Sequence, residues 1–90
     1  MDLKRQRFAA NMKRARVKLG ISQEELGFRC KLNRTTISHY ERGSRGPGVD
    51  AVIKLAAGLN TTSDALFDGI AWLPDEQRFQ VAPPKRTKAS

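Results

Sequence analysis

Between Gly20 and Gly43 the chain carries two helix starts and two helix stops in close succession, and this spacing constrains the fold more than any other feature. Ser22-Gln23-Glu24-Glu25 has the form of a capping box, with a hydroxyl at the cap and a carboxylate three residues on. That helix runs through Leu26 to about Cys30, roughly two turns. Lys31-Leu32 makes the connection, and Asn33 caps the next helix. Ile37 and Tyr40 lie three apart and face inward, and Gly43 ends the helix. Helices this short are not stable alone in water. They form only if the rest of the chain packs against them.

The flanking sequence supplies that packing. Phe8, Met12, Ala15 and Leu19 recur at helical spacing, and Gly20 caps the helix they define. Ser44-Arg45-Gly46-Pro47-Gly48 is a loop by composition. A fourth helix opens at Val49 or Asp50, with an inner face of Val49, Val52 or Ile53, Ala56 and Leu59. Thr62 or Ser63 caps a fifth, short helix through Ala65, Leu66 and Phe67, which closes near Gly69. The period then changes. Ile70/Trp72 and Phe79/Val81 alternate around Pro74-Asp75-Glu76-Gln77, as in a β-hairpin. A lone hairpin is marginal in water, so it must dock on the helices or on a second chain. The expected class is all-α, five helices with a small C-terminal β-hairpin. Residues 1–69 form the helical domain, 70–82 the hairpin, and 83–90 a disordered basic tail without apolar residues able to pack.

Charge is distributed unevenly. Residues 1–45 hold twelve Lys/Arg and four Asp/Glu, whereas residues 46–82 hold two and five. A basic half beside an acidic middle gives the molecule one face suited to a polyanion. The single cysteine, Cys30, permits no intramolecular disulfide and suits a reducing compartment. The N-terminus has no apolar run of signal-peptide length, and no stretch approaches the roughly 18 apolar residues of a membrane span. A soluble, cytoplasmic protein with no membrane partner is expected.

Two short helices joined by a turn of about three residues have the dimensions of a helix-turn-helix, whose second helix enters the DNA major groove. Arg34 and Thr35 then meet the bases first. Ser38 lies four residues after Arg34 and His39 four after Thr35, so the four share one outward stripe opposite Ile37 and Tyr40. A packing helix has no use for so many hydrogen-bonding groups. A base-reading surface does, and arginine to guanine O6/N7 is the commonest specific contact. Gln23, with the free N–H groups at the start of its helix, suits a phosphate. Asn33 and Thr36, at the next helix start, are also expected to touch a phosphate, Asn33 while capping its helix. Arg42, Ser44 and Arg45 follow the reading helix and are expected along the backbone, supplying affinity without sequence choice.

The stretch SQEELGFRCKLNRTTISHYERG, with ARVKLGI before it, resembles the helix-turn-helix of the phage repressor and Cro family, also called the XRE family. The resemblance covers about residues 3–69. Leu19-Gly20-Ile21-Ser22-Gln23, Leu26, Ile37, Glu41-Arg42-Gly43, Pro47 and Leu55-Ala56 carry it. It implies a five-helix lambda-repressor-like domain and a sequence-specific regulator of transcription. It also implies base contacts at the positions of the outward stripe, a phosphate contact at Gln23, and a partly buried ion pair between Arg16 and Glu41. In the family the region after the third helix commonly makes the dimer contact. That places a homodimer surface near Val49, Leu66, Phe67, Ile70, Trp72 and Phe79. Three residues depart from the family pattern. Gly27 and Cys30 stand where alanine is usual, and Lys31 where glycine is usual. Gly27 costs about 1 kcal/mol of helix stability, and Lys31 at positive φ is strained by a similar amount.

Other classes lack their parts. Neither CxxC nor HxxxH spacing exists, and there is no phosphate loop ending in GK[ST], so no enzyme, metal or cofactor is expected. No aromatic platform supports RNA binding. An antitoxin, bound to a toxin away from its DNA face, and a restriction–modification controller use the same fold and stay open as alternatives. Repression by occlusion from an inverted repeat is the expected effect. Contact with RNA polymerase stays open.

Overall fold

The computed structural model describes residues 2–83 of the chain. Five helices, α1 (Leu3–Leu19), α2 (Gln23–Cys30), α3 (Arg34–Arg42), α4 (Val49–Gly58) and α5 (Ser63–Leu66), precede two antiparallel strands, β1 (Ile70–Leu73) and β2 (Arg78–Val81). Four helices begin at a side chain that accepts from otherwise free N–H groups. Asp2 caps α1, Ser22 α2, Asn33 α3 and Thr62 α5, whereas Gly48 leads into α4 with no side-chain cap. Each such cap contributes about 1 kcal/mol. At α2 only half of the capping box forms. Ser22 Oγ accepts from Glu25 N at 3.0 Å, but the Glu25 carboxylate pairs with Arg29 Nε at 3.1 Å.

The α2–α3 connection is tight. Gly20, Lys31 and Gly43 cap the first three helices in the left-handed conformation, and Lys31 does so with φ 55°. The expected local strain at Lys31 is therefore present. Gly27 has a positive reason to be there. A Cβ on it would stand 2.5 Å from the Leu32 carbonyl oxygen. The residue that weakens α2 as a helix is the one that lets the turn fold back onto it.

All five helices contribute to one core. Met12 of α1, Leu26 of α2, Ile37 of α3 and Leu55 of α4 are completely buried, and Leu66 of α5 nearly so. Phe8, Cys30, Tyr40, Val52, Ala56 and Leu59 surround them. Each large apolar side chain contributes on the order of 1.5–3 kcal/mol through burial. The inner face of α4 is Val52, Leu55, Ala56 and Leu59. Val49 and Ile53, expected there, are instead 77% and 59% exposed, because they lie on the far side of the helix from the core. Leu19, at the end of α1, is also on the exposed side.

The expected hairpin forms, with Ile70 opposite Val81 and Trp72 opposite Phe79. Trp72 and Phe79 meet edge to face at 4.9 Å, and Lys4 Nζ stands 4.4 Å above the Phe79 ring. What docks the hairpin is Arg7. Its guanidinium, only 3% exposed, donates to the Asp68 carbonyl at 3.0 Å, the Asp68 carboxylate at 3.2 Å, the Ala82 carbonyl at 3.0 Å and the Pro83 carbonyl. Asn11 of α1 adds bonds to the carbonyls of Leu66 and Asp68, both at 2.9 Å. Gly69, at φ 85°, turns the chain so close to Arg7 that a Cβ would fall 2.7 Å from the guanidinium carbon. Pro83, placed in the tail by sequence, is thus tied to α1. The rest of the tail, 84–90, lies outside the described residues.

Candidate nucleic-acid interface

The orientation of α3 is set at both ends. Asn33 Oδ1 accepts from Thr36 N at 2.8 Å and from Thr36 Oγ1 at 3.0 Å, so both groups serve the helix start. At the other end Glu41 joins α3 to α1. Arg16 Nε and Nη2 donate to its two carboxylate oxygens at 2.6 and 3.0 Å, and Arg16 Nη1 donates to the Ile21 carbonyl at 2.9 Å. The Glu41 side chain is 3% exposed and that of Arg16 13%. The hydrogen bond that Arg16 donates to Glu41 holds the Arg16 pKa above its ordinary value, against the opposing effect of burial. The ion pair implied by the family resemblance is present, and it is bidentate.

With Ile37 and Tyr40 turned into the core, the opposite face of α3 is free. Arg34 and Thr35 are exposed at its first turn, and Ser38 and His39 are half-buried beyond them. The four lie together along one stripe. Ser38 and His39 are also tied to residues expected elsewhere. Arg42 Nη1 donates to Ser38 Oγ at 2.7 Å, Arg42 Nη2 lies 3.2 Å from His39 Nδ1, and Ser44 Oγ lies 3.0 Å from the same nitrogen. Arg42 and Ser44, expected along the phosphates, are thus folded back on the stripe. Arg45 is exposed in the loop after α3.

Gln23 occupies the start of α2, but its amide donates to Glu41 Oε1 at 3.1 Å. One amide N–H remains for a phosphate. The acidic Glu24 and Glu25 share that first turn and oppose an anion there. The first turn of α3 has no acidic residue.

The expected dimer residues divide. Val49, Phe67, Trp72 and Phe79 are exposed, at 77%, 44%, 48% and 45%. Leu66 is 1% exposed and belongs to the core, so it cannot meet a second chain without unfolding α5. Ile70 is half-buried and packs against the same core. Sequence reasoning missed Ile53, which is exposed one turn along from Val49, and Phe28, which is 82% exposed on α2. It also missed Arg7. A basic residue in a helix start looks like surface, and only the carbonyls arriving from the far end of the chain make it interior. Cys30 is buried in the core. Its thiol donates to the Lys54 carbonyl at 3.2 Å, and burial raises its pKa. Among the described residues no group of three or more His, Cys, Asp or Glu is placed to hold a metal ion. No helix among them is long and apolar enough to cross a membrane.

The helix-turn-helix family model matches residues 12–66, which is more than half of the chain and spans all of α2 and α3. The chain belongs to the phage repressor and Cro-like helix-turn-helix family. Within this family it is similar to control protein C.BamHI of Bacillus amyloliquefaciens, at 41% identity over 51 residues, covering 57% of this chain and 63% of that one. The matched stretch is therefore less than two thirds of that relative's length. The fold is similar to that of the restriction–modification controller protein C.AhdI from Aeromonas hydrophila. The TM-score is 0.68 at 32% identity, over 70% of this chain and 96% of that one. It is also similar to the P22 c2 repressor protein in complex with synthetic operator 9T. There the TM-score is 0.67 at 28% identity, over 71% of this chain and 97% of that one.

Proposed function

We propose that this helix-turn-helix protein is a regulator of transcription that reads double-stranded DNA through the major groove with α3. The observation that carries the proposal is the two-faced character of that helix. Ile37 and Tyr40 anchor it, and Arg34, Thr35, Ser38 and His39 stand on the open side. The basic first half of the chain supplies the charge that phosphate contacts require. Arg34 is the principal base reader. Arg45 and the free N–H groups of Gln23, Asn33 and Arg42 hold the backbone. The protein acts in the cytoplasm and has no catalytic role.

A homodimer bound to an inverted repeat fits this reading, with half-sites about one helical turn apart. The exposed apolar side chains of Val49, Ile53 and Phe67 suit the contact between copies. Bound in this way the protein represses by occlusion. The likeness to C.BamHI and C.AhdI favours a more specific second reading, a controller of a restriction–modification system. A restriction endonuclease gene beside this one supports that reading, and a toxin gene there supports an antitoxin instead.

The test is selection of binding sites from random duplex DNA, followed by salt titration on the winner. A short palindrome bound about 10³-fold or more above random sequence is expected. Uniform weak binding would reject sequence reading by α3.

A further inference from the structure

The contacts among Arg42, Ser38, His39 and Ser44 fix more than side-chain position. A guanidinium has donors only. Arg42 Nη2 faces His39 Nδ1 at 3.2 Å, a contact that is a hydrogen bond only when that ring nitrogen offers its lone pair. The neutral imidazole then carries its proton on Nε2. The other tautomer would set Nδ1–H against Nη2–H, donor against donor. Ser44 Oγ, 3.1 Å from the His39 carbonyl and 3.0 Å from Nδ1, would by itself donate to the carbonyl and take a proton from Nδ1. It is Arg42 that tips the ring toward Nε2–H, with the Ser44 proton turned to Nδ1. Nε2 is left with no hydrogen-bond partner among the described residues. Ser38 is constrained in the same sense. Its Oγ spends one of its two lone pairs on Arg42 Nη1 at 2.7 Å, which biases the hydroxyl toward donating.

We propose that Arg42 is a positioning residue that holds His39 and Ser38 as outward hydrogen-bond donors, so that with Arg34 they select bases presenting acceptors. This rests on the proposed reading of DNA by α3. In the major groove guanine offers two acceptors and no donor, whereas cytosine offers only its N4 amino donor. A stripe of donors therefore favours guanine and excludes cytosine from the bases facing Ser38 and His39. Arg42 keeps three further N–H groups with which to hold a phosphate, so positioning and backbone contact are compatible.

His39 is the only histidine in the chain, so its ring signals are unambiguous. Long-range ¹⁵N–¹H spectra of the free protein, recorded at a pH where they themselves show a neutral ring, report the tautomer directly. The wild type is expected to carry its proton on Nε2, and Arg42→Ala to increase the fraction carrying it on Nδ1. Arg42 is exposed, so its loss leaves the core intact. In parallel, site selection with Arg42→Ala is expected to admit cytosine at the positions facing Ser38 and His39, with preference there falling about fivefold or more. The position facing Arg34 should keep its base. A proton on Nδ1 in the wild type, or a tautomer ratio and base choice unchanged in Arg42→Ala, would overturn the proposal. If the wild type selects a palindrome yet carries the Nδ1 proton, only the lock fails. If it selects no sequence at all, the reading of DNA fails and the role of the donors goes with it.

Discussion

Replacing Glu41 by alanine probes the joint that aims α3. The change removes the acceptor of two Arg16 bonds, at 2.6 and 3.0 Å, and of the Gln23 bond at 3.1 Å. Arg16 keeps only the Ile21 carbonyl, in a site where its side chain is 13% exposed. Breaking a buried pair by removing one partner costs about 3–5 kcal/mol, because the surviving charge is stranded out of water. The residual exposure of Arg16 places the expected loss near the lower end, about 3 kcal/mol. A domain of this length has a total stability on the order of 5–13 kcal/mol, so the variant gives up a large fraction of it. A Tm lower by roughly 10–25 °C is expected. Urea denaturation followed by circular dichroism should show a lower midpoint with an unchanged slope. A loss under about 1 kcal/mol, the scale of an exposed ion pair, would refute the description of this joint as buried. Replacing both partners, Arg16→Met with Glu41→Leu, should recover much of the loss, since no charge is then left unpaired.

Arg34→Ala is expected to lower affinity for the selected site by about 1–3 kcal/mol and to relax choice at one base pair. Unchanged anisotropy titrations on every sequence would remove it from the reading set. Arg45→Ala should weaken binding to all DNA alike and reduce the salt slope by about one, and an unchanged slope would take Arg45 away from the phosphates. Arg7→Ala is expected to free the hairpin. Amide exchange should quicken across residues 70–82 while α2 and α3 stay protected, and uniform exchange would show that the hairpin is docked by something else. Below the ordinary Asp range the α1 cap should weaken. The hydrogen bond from Lys4 lowers the Asp2 pKa in the folded chain, so the cap's stabilisation is present above about pH 4 and is lost as pH falls through the lowered value. Asp2→Asn should remove that part of the acid dependence of Tm, and an identical pH profile would count against it.

How far the fold was legible follows from the kind of interaction that makes each part. Ser22, Asn33, Gly20 and Gly43 act on backbone groups within a few residues, and each did in space what its sequence position implies. Ile37 and Tyr40 were identified as inward by helical period alone. The alternation in Ile70–Trp72 and Phe79–Val81 gave the hairpin, and the structure its register. Val49 and Leu66 went the wrong way for a common reason. An apolar residue near a helix end can lie on either side of the core boundary, and its composition does not say which.

The sequence by itself therefore determined where helices start and stop, the apolar stripe of α3 and most of that of α1, and the polar stripe of α3. These depend on spacings of three or four residues and on caps, which any isolated segment already contains. Tertiary structure alone decided that Arg7 would be interior and that Gln23 would turn to Glu41. Arg7 and Gln23 find their partners 75 and 18 residues away, once the chain has folded. Arg42 and His39 are only three apart, yet a long charged side chain has several solvated directions open to it. Its acceptors, Ser38 and His39, lie on its own helix, so this contact is local and was open to a reading of spacing that sent Arg42 to the phosphates instead.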